Sequence, residues 1–288
     1  GSSHTSFKSN GYNRTSAFKT DSFGNMTDLG TLQGKSGYSG YSVGHAINDK
    51  GIVTGISSTS SGETHAFITD ETNMMHDLGT LGGAISSGMG INEHNQVTGH
   101  SLTAGPGSQH AFVTDSAGNM KDLGTLGGAT SSGQGINAAG AVTGISNNAD
   151  GDLHAFVTDI DDDLIDLGTL GGYRSGGTSI NDNGFIVGFS DTSLGSTHAT
   201  LWDNNFNIFD LNEFVIDLNI HWDRLVMAND ISNTGYITGY GITNDGFERA
   251  FLLTEVLVAV DEPPLLLLMS IGLIAMLTRR KSYGSILH

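Results

Sequence analysis

The stretch that decides the fold is His110-Ala111-Phe112-Val113-Thr114-Asp115, followed after a short linker by Asp122-Leu123-Gly124-Thr125-Leu126-Gly127-Gly128. It recurs. HAFITD and DLGTLGG stand at His65 and Asp77, HAFVTD and DLGTLGG at His154 and Asp166, and worn copies begin at Ser16 with Asp28 and at His198 with Asp210. A half copy, Arg249-Ala250-Phe251-Leu252-Leu253-Thr254, closes the series. The Asp-Leu pairs at 28, 77, 122, 166 and 210 are spaced by 49, 45, 44 and 44 residues. Periods of this size mean an array or a propeller.

Each period holds four short strand signals, apolar or alternating and bounded by Gly, Asn, Asp and Ser. In the clearest copies these are Gly88–Ile91, Gln96–Gly99, the HAF segment, and Asn119–Leu123. Between the first two lies Ile47-Asn48-Asp49-Lys50-Gly51, matched by segments at Ile91, Ile136, Ile180 and Ile231. Its fifth residue is Gly in four copies and Asn95 in the other, the residues that best tolerate a left-handed backbone, which predicts a hairpin turn. The Asn or Ser at its second position is expected to bond the turn backbone. The second-to-third connections (57–64, 101–109, 146–153, 190–197) vary most, as solvent-facing loops do. The invariant Gly-Thr-Leu-Gly-Gly reads as the crossover between units. Four short antiparallel strands per unit predict an all-β fold, a β-propeller of five or six four-stranded blades. A β-solenoid is the alternative. The unrepeated segment from Val215 to Met227, which contains Trp222, reads as an apolar insert in a degenerate terminal repeat.

The 42 glycines among 288 residues fit sheets and tight turns better than long helices. Twelve Lys and Arg against 30 Asp and Glu give a formal charge of -18, which excludes nucleic acid and anionic lipid as natural partners and suits a solvated or cation-binding surface. With no cysteine, disulfides and thiolate metal sites are excluded. Gly1 aligns with the glycine that ends the second strand of each unit, so the expectation is a chain that opens inside a repeat.

Residues 1–260 read as the repeat domain and 261–288 as a separate tail. Asp261-Glu262-Pro263-Pro264 leads into an apolar run from Leu265 to Leu277, and Arg279-Arg280-Lys281 follows. The uncharged 265–278 segment predicts an apolar helix. It is shorter than the roughly 20 residues that span a bilayer, but the basic cluster behind it has the orientation of a cytoplasmic stop.

The HAF, DLGTLGG and IN-x-x-G-x-V-x-G elements, recurring in order from about residue 15 to 254, resemble the bacterial HAF-repeat family of extracellular proteins. The tail resembles a PEP-CTERM signal, with Asp261-Glu262-Pro263 where Pro-Glu-Pro is expected and residues 282–288 extending past the basic cluster. That resemblance implies a Gram-negative source, an exosortase-type processing partner, a membrane-anchored intermediate through 265–278, and a final place outside the cell in an exopolysaccharide matrix. It implies no reaction.

The repeated histidines 65, 110, 154 and 198 invite a metal ring, but equivalent residues of separate units stand too far apart to share an ion, so a hydrogen bond within each unit is expected instead. Acidic turns suit a hard cation better: Asn148, Asp150 and Asp152 in one loop, and Asp161 and Asp163 in the next, are candidate Ca²⁺ ligands without EF-hand spacing. Catalysis needs one asymmetric constellation, whereas a repeat supplies equal copies. The unrepeated Trp222, Asp223 and Arg224, and Glu248 with Arg249, are the only such candidates, and no GxSxG, HExxH or phosphate-loop pattern is present. The sequence therefore predicts a non-catalytic binding or matrix scaffold that meets polysaccharide or another surface component through its variable loops. A polysaccharide lyase or hydrolase on the same fold and a self-assembling fibre or coat are the alternatives.

Overall fold

The computed structural model describes residues 2–3, 15–32, 40–105, 107–214 and 222–254. Within them the chain is all-β, with one 3₁₀ turn at Leu211–Phe214. It forms six successive units. The first holds β1 (Ser2–Ser3), β2 (Ser16–Thr20) and β3 (Met26–Gly30); the second holds β4 (Ser42–Ile47), β5 (Val53–Ser58), β6 (Thr64–Thr69) and β7 (Met75–Asp77). The third is β8 (Gly82–Ile91), β9 (Val97–Thr103), β10 (Gln109–Thr114) and β11 (Met120–Gly124); the fourth is β12 (Gly127–Ile136), β13 (Val142–Asn148), β14 (Leu153–Thr158) and β15 (Leu164–Asp166). The fifth is β16 (Gly171–Ile180), β17 (Ile186–Thr192), β18 (Thr197–Trp202) and β19 (Ile208–Asp210), and the sixth is β20 (Trp222–Ile231), β21 (Ile237–Thr243) and β22 (Glu248–Leu253).

Every unit is an antiparallel meander, and neighbouring units touch through single parallel bridges between one third strand and the next first strand: Thr64↔Ile85, Gln109↔Thr130 and Leu153↔Arg174. A solenoid would instead pair equivalent strands of successive coils. Among the described residues no equivalent strands are paired, so the radial, four-strand design is the one present. β3 pairs with β2 in a sheet of its own, and β22 with β21.

Three expectations need correction. The first strand begins at Gly82, not Gly88, because the Gly-Gly of the crossover already pairs with the next unit's second strand (Gly82↔Thr103) before a bulge resets the register at Ser86↔Ser101. The second strand runs on to Thr103, which shortens the variable connection to the residues between Thr103 and Gln109, and the equivalent turns are 59–63, 149–152 and 193–196. The supposed insert is no insert from Trp222 onward, since Trp222–Ile231 is the first strand of the sixth unit, ten residues long like β8, β12 and β16. Residues 215–221 and the apolar helix expected at 265–278 lie outside the described residues.

The core lies between units rather than within them. Ala111, Val113 and Leu123 of the third unit pack with Val142 and Phe156 of the fourth, and Ala66 of the second packs with Val97 and Phe112 of the third. Phe67, Phe112 and Phe156 are fully buried, each contributing roughly 1.5–3 kcal/mol by area removed from water. This is why no unit is stable alone and why the apolar positions must repeat. Where Trp202 replaces the usual threonine it is also fully buried, and its Nε1 donates to Leu167 O of the previous unit at 2.9 Å. That degenerate residue is an inter-unit wedge, not a cap.

Backbone approach fixes the second-strand glycine: a Cβ on Gly99 would lie 1.9 Å from Ser87 O. Small polar residues then stitch unit to unit. Ser131 Oγ accepts from Ala111 N at 2.7 Å and donates to Gly124 O, and Ser42, Ser86 and Ser175 do the same at their boundaries. The turn asparagines form a ladder. Asn48, Asn92 and Asn137 each accept at Oδ1 from an amide of their own turn at 3.0 Å. The same side chains donate through Nδ2 to the carbonyls of Asn92, Asn137 and Asn181 in the next unit at 3.1, 3.0 and 3.3 Å.

Candidate functional site

The loudest motif residues are occupied structurally. His65, His110 and His154 donate from Nδ1 to the carboxylates of Asp77, Asp122 and Asp166 at 2.8–2.9 Å, and His198 does so to Asp210 at 2.6 Å. Each pair joins the third strand of a unit to its fourth. The same carboxylates accept from the following glycine amide, Gly79, Gly124 or Gly168, at 2.7–2.8 Å, and Asp28 holds Gly30 N in this way even where Ser16 replaces the histidine. The aspartate is a turn cap first and a histidine partner second, and the histidines do not converge.

The acidic turns are likewise engaged. Asn148 Oδ1 accepts from Asp150 N and Asp152 N at 3.0 and 2.9 Å. Asp161 N and Asp163 N donate to Asp159 Oδ1 at 2.9 and 3.0 Å, while Lys121 Nζ reaches Asp161 O and Asp162 Oδ2 at 3.1 and 2.7 Å. The two turns sit at opposite ends of β14, six residues or roughly 20 Å apart at strand rise, so Asn148, Asp150 and Asp152 are not brought to Asp161 and Asp163. Among the described residues no group of three or more His, Cys, Asp or Glu is placed to hold a metal ion.

Of the unrepeated candidates, the Trp222 ring meets Phe251 edge to face at 6.4 Å between centroids. Asp223 pairs with its neighbour Arg224 at 2.7 Å, and Arg249 pairs with Asp245 at 3.1 Å. Two shallow grooves of about 360 and 350 Å³ lie on the turn face, between the second and third and between the third and fourth units. The first contains the His76–Asp70 pair (2.9 Å); the second contains Lys121, whose ammonium is held above its ordinary range by the Asp162 carboxylate.

Among the described residues an asymmetric polar constellation lies inside the repeat, centred on the third unit. The position after the second-strand glycine is Ile56, His100, Ile145, Phe189 and Tyr240 in successive units, and only the third carries a histidine. It faces a first-strand position whose side chain is flanked by that residue in its own and the preceding unit: a Cβ on Gly176 would lie 2.6 Å from the Phe189 ring and 2.7 Å from Ile145. Around His100 this position is serine. Ser87 is its cross-strand partner, and Ser132 Oγ lies 3.3 Å from His100 Nδ1 and accepts from Gln134 Nε2 at 3.0 Å. His45 of the second unit donates from Nδ1 to Gly88 O at 2.8 Å, with Ser87 Oγ 3.5 Å away, and the Ser87 hydroxyl donates to Met89 Sδ at 3.6 Å. Ser87 and Ser132 are buried, His100 is half-buried and His45 is exposed. Burial, followed by the neighbouring His45, lowers the His100 pKa below its ordinary value. The signal in the sequence was only this break in the aligned positions; without the inter-unit register it could not be read as a cluster.

No protein-family model matches the chain, and no curated protein matches it. Among solved structures it resembles TolB from Acinetobacter baumannii, at 13% identity and a TM-score of 0.51 over 82% of this chain. It also resembles a puromycin hydrolase S511A mutant complexed with PGG, at 12% identity and a TM-score of 0.55 over 83% of this chain. The chain spans 56% and 40% of the lengths of those two. Both likenesses are to β-propellers, and the fold of this chain is of that type.

Proposed function

We propose that this chain is a secreted or cell-surface β-propeller of six units that works as a non-catalytic binding scaffold in an extracellular matrix, with polysaccharide as its partner class. What carries this reading is the fate of the candidate catalytic residues. Trp222 is turned to Phe251 and Asp223 is tied to Arg224, so the aromatic platform and carboxylate that a saccharide-cleaving site would combine are spent separately. The acidic surface keeps such a protein soluble and spaced among anionic polymers. The HAF-type repeats, and a tail like a PEP-CTERM signal processed by an exosortase-type enzyme, supply the location.

The test is incubation of the purified chain with exopolysaccharide, following both retention on the polymer and release of reducing or unsaturated ends. Retention without release is expected, and Asp223→Ala should change neither. Release of ends by the wild type that Asp223→Ala or Trp222→Ala abolishes would replace the scaffold with a lyase or hydrolase.

A further inference from the structure

We propose that His45, His100 and Met89 form a binding site for monovalent copper at the junction of the second and third units. The inference is independent of the polysaccharide reading, because it rests on residues of the first and second strands and not on the variable loops.

The donor set comes from chemistry already in place. The Nδ1–H of His45 donates to a backbone carbonyl, Gly88 O, which fixes the tautomer that leaves Nε2 unprotonated; this is the outer-shell arrangement that orients ligating histidines. His100 shares a hydrogen bond between its own Nδ1 and Ser132 Oγ. Among the described residues neither Nε2 has a protein partner, and that of half-buried His100 is not sealed from solvent either. Both rings therefore have a second nitrogen to offer. The third donor is the Met89 thioether. Ser87, almost fully buried, brings the three side chains around one hydroxyl: its Oγ is 3.5 Å from His45 Nδ1, the ring nitrogen that does not ligate, and 3.6 Å from Met89 Sδ, and His100 is its cross-strand partner in the β8–β9 pair. Opposed side chains in such a pair have Cβ atoms about 5 Å apart.

The ion follows from the ligands. Thioether and imidazole without a carboxylate are a soft set, which suits Cu(I) and disfavours the hard cations that the acidic turns would attract. The site also occurs once. His45 and Met89 hold the same position in adjacent units and, unlike the HAF histidines, both lie within 3.6 Å of one hydroxyl, Ser87 Oγ; the equivalents in the next two units are Gln134 and Thr178, and those equivalent to His100 are apolar or tyrosine.

The full chain is titrated with Cu(I) under ascorbate against a chromophoric Cu(I) chelator, and the loaded protein is examined by copper K-edge X-ray absorption. One equivalent should be retained, with both sulfur and imidazole in the first coordination shell. Met89→Leu, a volume-conserving change, should remove the sulfur shell and weaken retention at least tenfold. His100→Gln should weaken it similarly, while His110→Gln, which breaks only a His–Asp pair, should not. The sulfur shell of the wild type is informative even if a variant folds poorly. Loss of all copper to the chelator, a shell without sulfur, or equal weakening by His110→Gln and His100→Gln would each overturn the assignment.

Discussion

At the scale of single residues, the sequence repeats where the backbone leaves no choice. Gly99 cannot carry a side chain because the carbonyl of Ser87 occupies that space, whereas a Cβ on Gly105 would meet only Thr103 Oγ1 at 3.8 Å. Gly99→Ala should cost about 3 kcal/mol or more, since the clash is with backbone rather than a movable side chain, and Gly105→Ala within about 0.5 kcal/mol of nothing. Denaturant melts of the two variants measure the contrast. The glycine was visible in the sequence as a strand terminator, but its cause was not, because Ser87 stands on another strand. The histidine of HAF was legible in the same partial way. A hydrogen bond within the unit was expected for His110; that its partner is Asp122, twelve residues on, and that this aspartate also caps Gly124, is apparent only from geometry. The His45, Met89 and His100 cluster was hidden because each member sits in a stretch whose neighbours repeat loudly.

At the scale of elements, the turns are built twice over, once for themselves and once for the neighbouring unit. Asn137 Oδ1 serves its own turn through Ala141 N while Nδ2 reaches Asn181 O. Asn137→Asp keeps the acceptor but sets a carboxylate against a carbonyl, so at pH 7 it should destabilise at least as much as Asn137→Ala, about 1–3 kcal/mol. Its deficit should shrink below about pH 4, where a protonated carboxyl donates again. The sequence showed the first use of this side chain and not the second, since the partner lies 44 residues ahead on a different unit. The third-to-fourth turns give a second pH dependence. Asp115 is held below its ordinary value of 3.8 chiefly by the Asn119 side-chain amide, and Asp70 by the Thr72 hydroxyl. A carboxyl depressed on folding contributes stability above its unfolded value and loses it as pH falls through the folded one. The melting-temperature gap between wild type and Asp115→Asn should therefore be constant from pH 7 to about 5 and close below pH 4; a gap that widens with acid would contradict the cap.

At the scale of the whole molecule, the period, the four strands and the crossover could all be read before any coordinates, because hydrophobic alternation and glycine placement are local properties. What joins the units could not, since it is made of contacts between residues of different repeats. The repeated letters make those joints. The joints are specific: the amides of Ala66, Ala111 and Ala155 each donate to a serine of the following unit, Ser86, Ser131 and Ser175, at 2.7–2.9 Å in buried surroundings. Native-state amide hydrogen exchange tests this most directly, because protection reports the free energy of the opening that frees each amide. All three amides should exchange together, at the rate set by global unfolding, and Ser131→Ala should lower the protection of all of them rather than of Ala111 alone. Three different rates, or exchange as fast as that of the exposed turns, would mean that the units are not joined by their repeated residues.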